Sequence, residues 1–117
     1  MNKILDSEKF TNRIHDFMAR EFVGRGKSNP KTKARFLKTC IFLAENHEVH
    51  GLGEIGKVCR LSDRIKPTTL TLKRLLNNLI AAKIVTVSRE AVYVDRIERV
   101  LENHRYTLRL CDDLYKD

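Results

Sequence analysis

The chain has 117 residues, 42% of them hydrophobic and 32% charged, and a formal net charge of +8. These proportions fit one globular domain and exclude a disordered chain or one built of membrane spans, since no segment approaches the roughly 20 apolar residues a span needs. With no tryptophan the core is expected to be aliphatic, and at this size a second copy would add useful burial, so a homodimer is expected.

The opening MNKILDSEKF lacks the apolar run and small-residue cleavage site of a signal peptide, which makes the cytoplasm the expected location, with no membrane partner. Charge is unevenly spread: net +2 over residues 1–30, +7 over 31–94 and −1 over 95–117. A basic middle between near-neutral ends points to a polyanion-binding unit with separate structural helices.

The first predicted element is a helix over 7–22, opened by Asp6-Ser7, with Phe10, Ile14, Phe17, Met18 and Phe22 at helical spacing. Residues 23–30 follow as a linker containing Gly26-Lys27-Ser28, the letters that end a phosphate-binding loop. That loop needs a glycine where Glu21 stands, and it must leave a strand and open a helix. Here it leaves a helix and meets the turn signal Asn29-Pro30, so it reads as a solvated linker.

From Thr32 to Asn46, Phe36, Leu37, Cys40, Ile41, Leu43 and Ala44 make a wide apolar stripe. Lys31, Lys33, Arg35 and Lys38 near its start oppose the helix dipole, which suits an external anion. A two-turn helix is expected from Leu52 to Leu61, then a polar turn over 62–66, then a helix over 67–83 with Pro67 at its first position. Leu72, Leu75, Leu76, Leu79 and Ile80 form its inner face.

Two β-branched runs, residues 84–87 and 91–94, read as a hairpin with Ser88-Arg89-Glu90 at the tip. Asp95 and Glu98 resemble a capping pair for a final helix over 95–117. In it Ile97, Leu101, His104, Leu108, Cys111 and Tyr115 recur as a heptad seam, which could pair with another chain or pack on its own domain. Together with Phe10, Ile14 and Phe17 these are the expected dimerisation residues.

Little chemistry suggests an enzyme or a bound cofactor. Cys40, Cys59 and Cys111 match no CxxC or CxxH spacing and sit in apolar rows, so buried free thiols are expected. His47 and His50 lack a third metal ligand, and the run ENHEVH is not HExxH. No metal, cofactor or catalytic residue is assigned.

Helix, short helix, turn, helix, hairpin is an order that resembles the winged helix-turn-helix superfamily. The resemblance runs from Leu52 to Val94 and is strongest in KRLLNNLIAAKIVTV, residues 73–87, where Ala82, Lys83, Ile84 and Val85 match the passage from recognition helix to wing strand. It implies a mainly α fold with a small β-hairpin, residues 31–94 forming the core. The flanking helices, 1–30 with its linker and 95–117, are similar to the dimerising arrangement of MarR-like and ArsR-like regulators. Two departures stand out: the turn SDRIKP is long, and Lys83 replaces a frequent glycine.

Turning the leucines of 67–83 inward leaves Leu70, Thr71, Lys73, Arg74, Asn77 and Asn78 outward. Arg can grip guanine, Asn adenine, and Leu or a Thr methyl can meet thymine's methyl. The expected partner is therefore double-stranded DNA, read by Thr69, Leu70, Thr71, Lys73, Arg74 and Asn77. Arg89 would act at the wing tip, and Lys31, Lys33 and Arg35, with Arg25 and Lys27, would bind phosphates. A plasmid or viral partition or replication protein would use the same surface, and a winged helix serving protein–protein interaction is the other alternative.

Overall fold

In the computed structural model, residues 4–22, 30–62, 64–94 and 99–116 are described, with side chains for all of these except 89–94 and 99–105. They form four α-helices and a small three-stranded antiparallel sheet, with helical residues in the majority. None of these helices is long and apolar enough to cross a membrane.

Helix α1, Ser7–Glu21, starts where the Asp6 carboxylate accepts the Lys9 N–H at 3.2 Å. It buries Phe10 and Phe17, and Phe22 follows at its C-cap. Phe17 packs on Phe36 of α2, Pro30–Asn46, with ring centroids 4.9 Å apart, and edge-on against Phe22 at 5.8 Å. This cluster seats α1 on α2. Thr39, a buried polar residue of α2, donates its hydroxyl to the Arg35 carbonyl at 2.8 Å, so its burial leaves no orphan.

Helix α2 ends at His47, whose φ of 66° is left-handed and whose N–H bonds the Leu43 carbonyl at 2.8 Å. Strand β1, Glu48–His50, and Gly51, at φ 84° and ψ 145°, then turn the chain into α3, Leu52–Val58. Helix α4, Thr69–Ala81, begins two residues beyond Pro67, because the Thr68 hydroxyl caps it by accepting the Thr71 N–H at 3.2 Å. At its other end Lys83 N–H bonds the Ile80 carbonyl at 3.0 Å and Ile84 N–H the Leu79 carbonyl at 3.1 Å. This is a Schellman closure with Lys83 in the left-handed position at φ 59°. Leu79 and Ile84, the pair that closure brings together, are both fully buried.

Strands β2, Val85–Val94, and β3, Arg99–Leu110, run antiparallel, and β1 adds to the other edge of β3 to give the order β1-β3-β2. Val85 pairs with Leu110 and Ala91 with His104, after which a two-residue shift pairs Val92 with Leu101. Strand β1 reaches only Thr107 to Arg109, so beyond it β2 and β3 form a two-stranded arm.

Two expectations are corrected here. The hairpin 84–94 with its tip at 88–90 is instead one uninterrupted strand. Ser-Arg-Glu lacks the Gly, Asn or Asp that the positive φ of a tight hairpin turn favours, and Val85, Thr86, Val87 and Ser88 keep alternating inward and outward. The helix 95–117 is replaced over its described part by β3 and a 3-10 turn, Asp112–Leu114. Tyr106, Leu108 and Leu110 are buried at a period of two, with Thr107 and Arg109 between them less covered. The heptad spacing shared Leu108 with that pattern but skipped Tyr106 and Leu110. Residues 106–110 thus belong with the core and not with a separate flank.

One apolar cluster unites the helices and the sheet, and Leu114 closes it. The first and last described segments pair with each other: Leu5 bridges Tyr115, Asp6 N–H bonds the Leu114 carbonyl at 2.7 Å, and Lys116 N–H bonds the Ile4 carbonyl at 2.7 Å. Arg13 of α1 reinforces that junction. Its guanidinium, 17% exposed, donates to the Lys83 carbonyl at 2.6 Å and to the Asp113 carboxylate at 3.0 Å.

Candidate nucleic-acid interface

Helix α4 carries the candidate site because its two faces are chemically unlike. Leu72, Leu75, Leu76 and Leu79 are buried, whereas Thr69, Leu70, Lys73, Arg74 and Asn77 are exposed and Thr71 and Asn78 are half-buried. The helix contains no acidic residue. Residues 60–78 as a whole carry Arg60, Arg64, Lys66, Lys73 and Arg74 against the single acid Asp63.

Each edge of the exposed face meets another element. On one side Thr71, Arg74 and Leu75 line a small pocket together with Thr32 and Arg35 of α2. Two groups that the sequence assigned separately, the groove-reading helix and the phosphate anchors, thereby meet in one place. Thr32 had no site role in the sequence reading, since only the docking of α2 on α4 recruits it. On the other side Lys73, Asn77 and Ile80 line an open groove against Val87 and Tyr106 of the sheet.

Lys31 and Lys33 are exposed in the first turns of α2, and the first turn of the helix holds no acidic residue of its own. Positive charge at a helix N-terminus is unfavourable unless an anion sits nearby. The Nε atom of Arg35 is covered and finds no hydrogen-bond acceptor among the described residues. Lys38 donates to the Arg60 carbonyl, fixing the end of α3 against α2. The α3–α4 connection adds Arg64 and Lys66, both exposed. Sequence reading passed over these cations, although the charge of SDRIKP was the available signal.

The remaining expected residues are placed as follows. Arg89 lies within β2, in register with Tyr106, and not at a tip. Arg25 and Lys27 fall outside the described residues, as does Ile97. Of the expected dimerisation set, Phe10, Phe17 and Leu108 are buried inside the subunit, while Ile14, Cys111 and Tyr115 pack against the same core. Leu101 and His104 are in β3, by its backbone.

Some titratable groups elsewhere are engaged by internal contacts. Glu48 takes hydrogen bonds from His50 Nε2 at 3.0 Å and Arg109 Nε at 3.1 Å, a cross-strand link since Glu48 and Arg109 are register partners. His50 first and Arg109 second hold its carboxyl below the usual range. His47 Nδ1 lies 3.1 Å from the Tyr115 hydroxyl. Burial pushes the Cys40 thiol up to about 12, and it raises Cys59 and Cys111 as well. Among the described residues no group of three metal-ligating side chains comes together.

Comparison with protein-family models, with curated proteins and with solved structures finds no match for this chain.

Proposed function

We propose that this protein binds double-stranded DNA as a winged helix-turn-helix module, with α4 in the major groove. The observation that carries the reading is the outward face of α4: Leu70, Lys73, Arg74 and Asn77 exposed on an acid-free helix whose opposite face buries Leu72, Leu75, Leu76 and Leu79, with Ile80, expected inward, exposed at its edge. Support comes from the helix order α2, α3, α4, which is the order the resemblance implied, followed by the antiparallel pair β2–β3 in place of the hairpin expected within 84–94. In this reading Arg74 and Lys73 meet base edges or phosphates, and Lys31, Lys33 and Arg35 grip the backbone beside them. The two-stranded β2–β3 arm is the wing. About six paired residues at roughly 3.3 Å each would let it reach on the order of 20 Å along the duplex.

A transcriptional regulator and a partition or replication protein both need this face, and the proposal covers either. Self-association in such a role would use a surface other than the seam expected at residues 95–117, whose described members face inward or belong to the sheet.

The experiment is fluorescence anisotropy of a labelled random duplex of about 30 base pairs, roughly three helical turns, titrated over a salt series. About five phosphate contacts per subunit give an expected log–log slope near −4.5, at about −0.9 per contact. The single change Arg74→Ala should weaken binding at every salt concentration. Absence of binding at low salt refutes the proposal and directs attention to a protein partner for the same face.

A further inference from the structure

Leu70 lies nine residues before Leu79, and nine steps of about 100° put the two half a turn out of phase. Leu79 is fully buried and Leu70 is 59% exposed, so Leu70 marks the centre of the outward face. One exposed leucine is ordinary on a protein surface. Its surroundings are not: Lys73, Arg74 and Asn77, three, four and seven residues on, share its stripe, and no acid occurs on the helix.

The hydroxyls nearby are partly committed already. Thr68 Oγ accepts the Thr71 N–H at 3.2 Å and lies 3.0 Å from Thr71 Oγ. The start of α4 therefore offers a polyanion less hydrogen bonding than its three threonines suggest, and offers instead an exposed leucine with Lys73 and Arg74 on the same stripe. Duplex DNA has the complementary combination: negative phosphates on either side and, in the major groove, the C5-methyl of thymine as the apolar feature of a base edge.

We propose that Leu70 is a specificity-determining residue that reads the C5-methyl group of a pyrimidine, thymine in unmodified DNA. This rests on the DNA-binding reading above and names what that face selects. A cytosine carrying a C5-methyl presents the same group at the same place and is read in the same way. Neither phosphate contacts nor the guanine and adenine contacts open to Arg74 and Asn77 depend on that methyl.

The test starts from a duplex selected out of a random pool by the full chain. Each thymine in it is replaced singly by deoxyuridine, which removes one methyl and leaves base pairing intact. At one or two positions affinity should fall about fourfold, the value of one buried methyl-sized group. In Leu70→Ala, whose fold is safe because the side chain is exposed, that difference should disappear while the salt slope stays as in the parent. Placing 5-methylcytosine, paired with guanine, at the sensitive position should bind the parent more tightly than unmodified cytosine does, and Leu70→Ala equally with it. Insensitivity of the parent to every deoxyuridine overturns the inference and leaves DNA binding standing. So does a loss of the same size in Leu70→Ala. A chain that binds no duplex at all overturns both.

Discussion

Lys83 sits at φ 59°, in a conformation that costs a residue with a Cβ about 1–2 kcal/mol and costs glycine almost nothing. Replacing it by glycine removes that strain but gives the unfolded chain more freedom, worth about 0.4–1 kcal/mol in the other direction. The net expectation for Lys83→Gly is a stabilisation of roughly 0.5–1 kcal/mol. The Lys83 side chain is exposed, and the carbonyl that Arg13 holds at 2.6 Å is main chain, so neither contact is lost. The Schellman bonds of Lys83 and Ile84 are likewise main chain. Urea denaturation followed by circular dichroism should show a higher midpoint at unchanged slope, and thermal melting should rise by about 2–6 °C. Lys83→Ala is the control, since it deletes the same ammonium but keeps the Cβ, and it should show no gain. Equal gains in the two variants would place the effect in the lysine side chain and refute the backbone argument. A loss in Lys83→Gly would refute it outright.

His47, also left-handed, should answer differently: His47→Gly relieves similar strain but forfeits the contact with Tyr115, so it should be about 1 kcal/mol less favourable than Lys83→Gly in the same denaturation assay. Gly51→Ala should cost about 1–3 kcal/mol although the new Cβ meets nothing within 4 Å, because the strain lies wholly in the backbone. By contrast Gly53→Ala, inside α3 and also facing open space, should gain about 0.5–1 kcal/mol. The Asp113 carboxyl is held below its ordinary value of 3.8, first by the Arg13 hydrogen bond. A lowered folded pKa contributes stability above the unfolded value and loses it as pH falls through the folded one. The penalty of Asp113→Asn, about 1 kcal/mol or less for so exposed a carboxylate, should therefore be constant near neutrality and fade below pH 3.8, as acid-limb denaturation curves would show. Cys40, buried and with its thiol pushed up to about 12, should resist a thiol reagent until urea unfolds the chain, while half-buried Cys111 reacts first; mass spectrometry of the labelled peptides decides.

The helices were legible where a run of buried positions keeps one period. In α4 four leucines fix the inner face, and the outer face follows by geometry, which is why Leu70, Lys73, Arg74 and Asn77 could be named from the sequence. Strand β3 was not legible in the same way. Leu101, Leu108 and Cys111 satisfy a heptad, Tyr106, Leu108 and Leu110 satisfy an alternation, and only the docking of β1 and β2 on either side decides between them. The same holds for Arg89: a strand that runs on through 88–90 depends on finding a twelve-residue partner downstream. Thr32 joins Arg35, Thr71 and Arg74 only because α2 crosses the start of α4, a matter of tertiary packing with no local signature. Arg13 similarly binds groups 70 and 100 residues away.

The pairing of Ile4, Leu5 and Asp6 with Leu114, Tyr115 and Lys116 holds the first and last described segments side by side. A short linker joining these two segments would let the chain be opened elsewhere, for instance in the exposed α3–α4 connection. Such a permuted protein would keep α4 in place while moving its free ends beside the face that the proposed duplex would occupy. Any group attached there would be carried beside that face by the architecture itself.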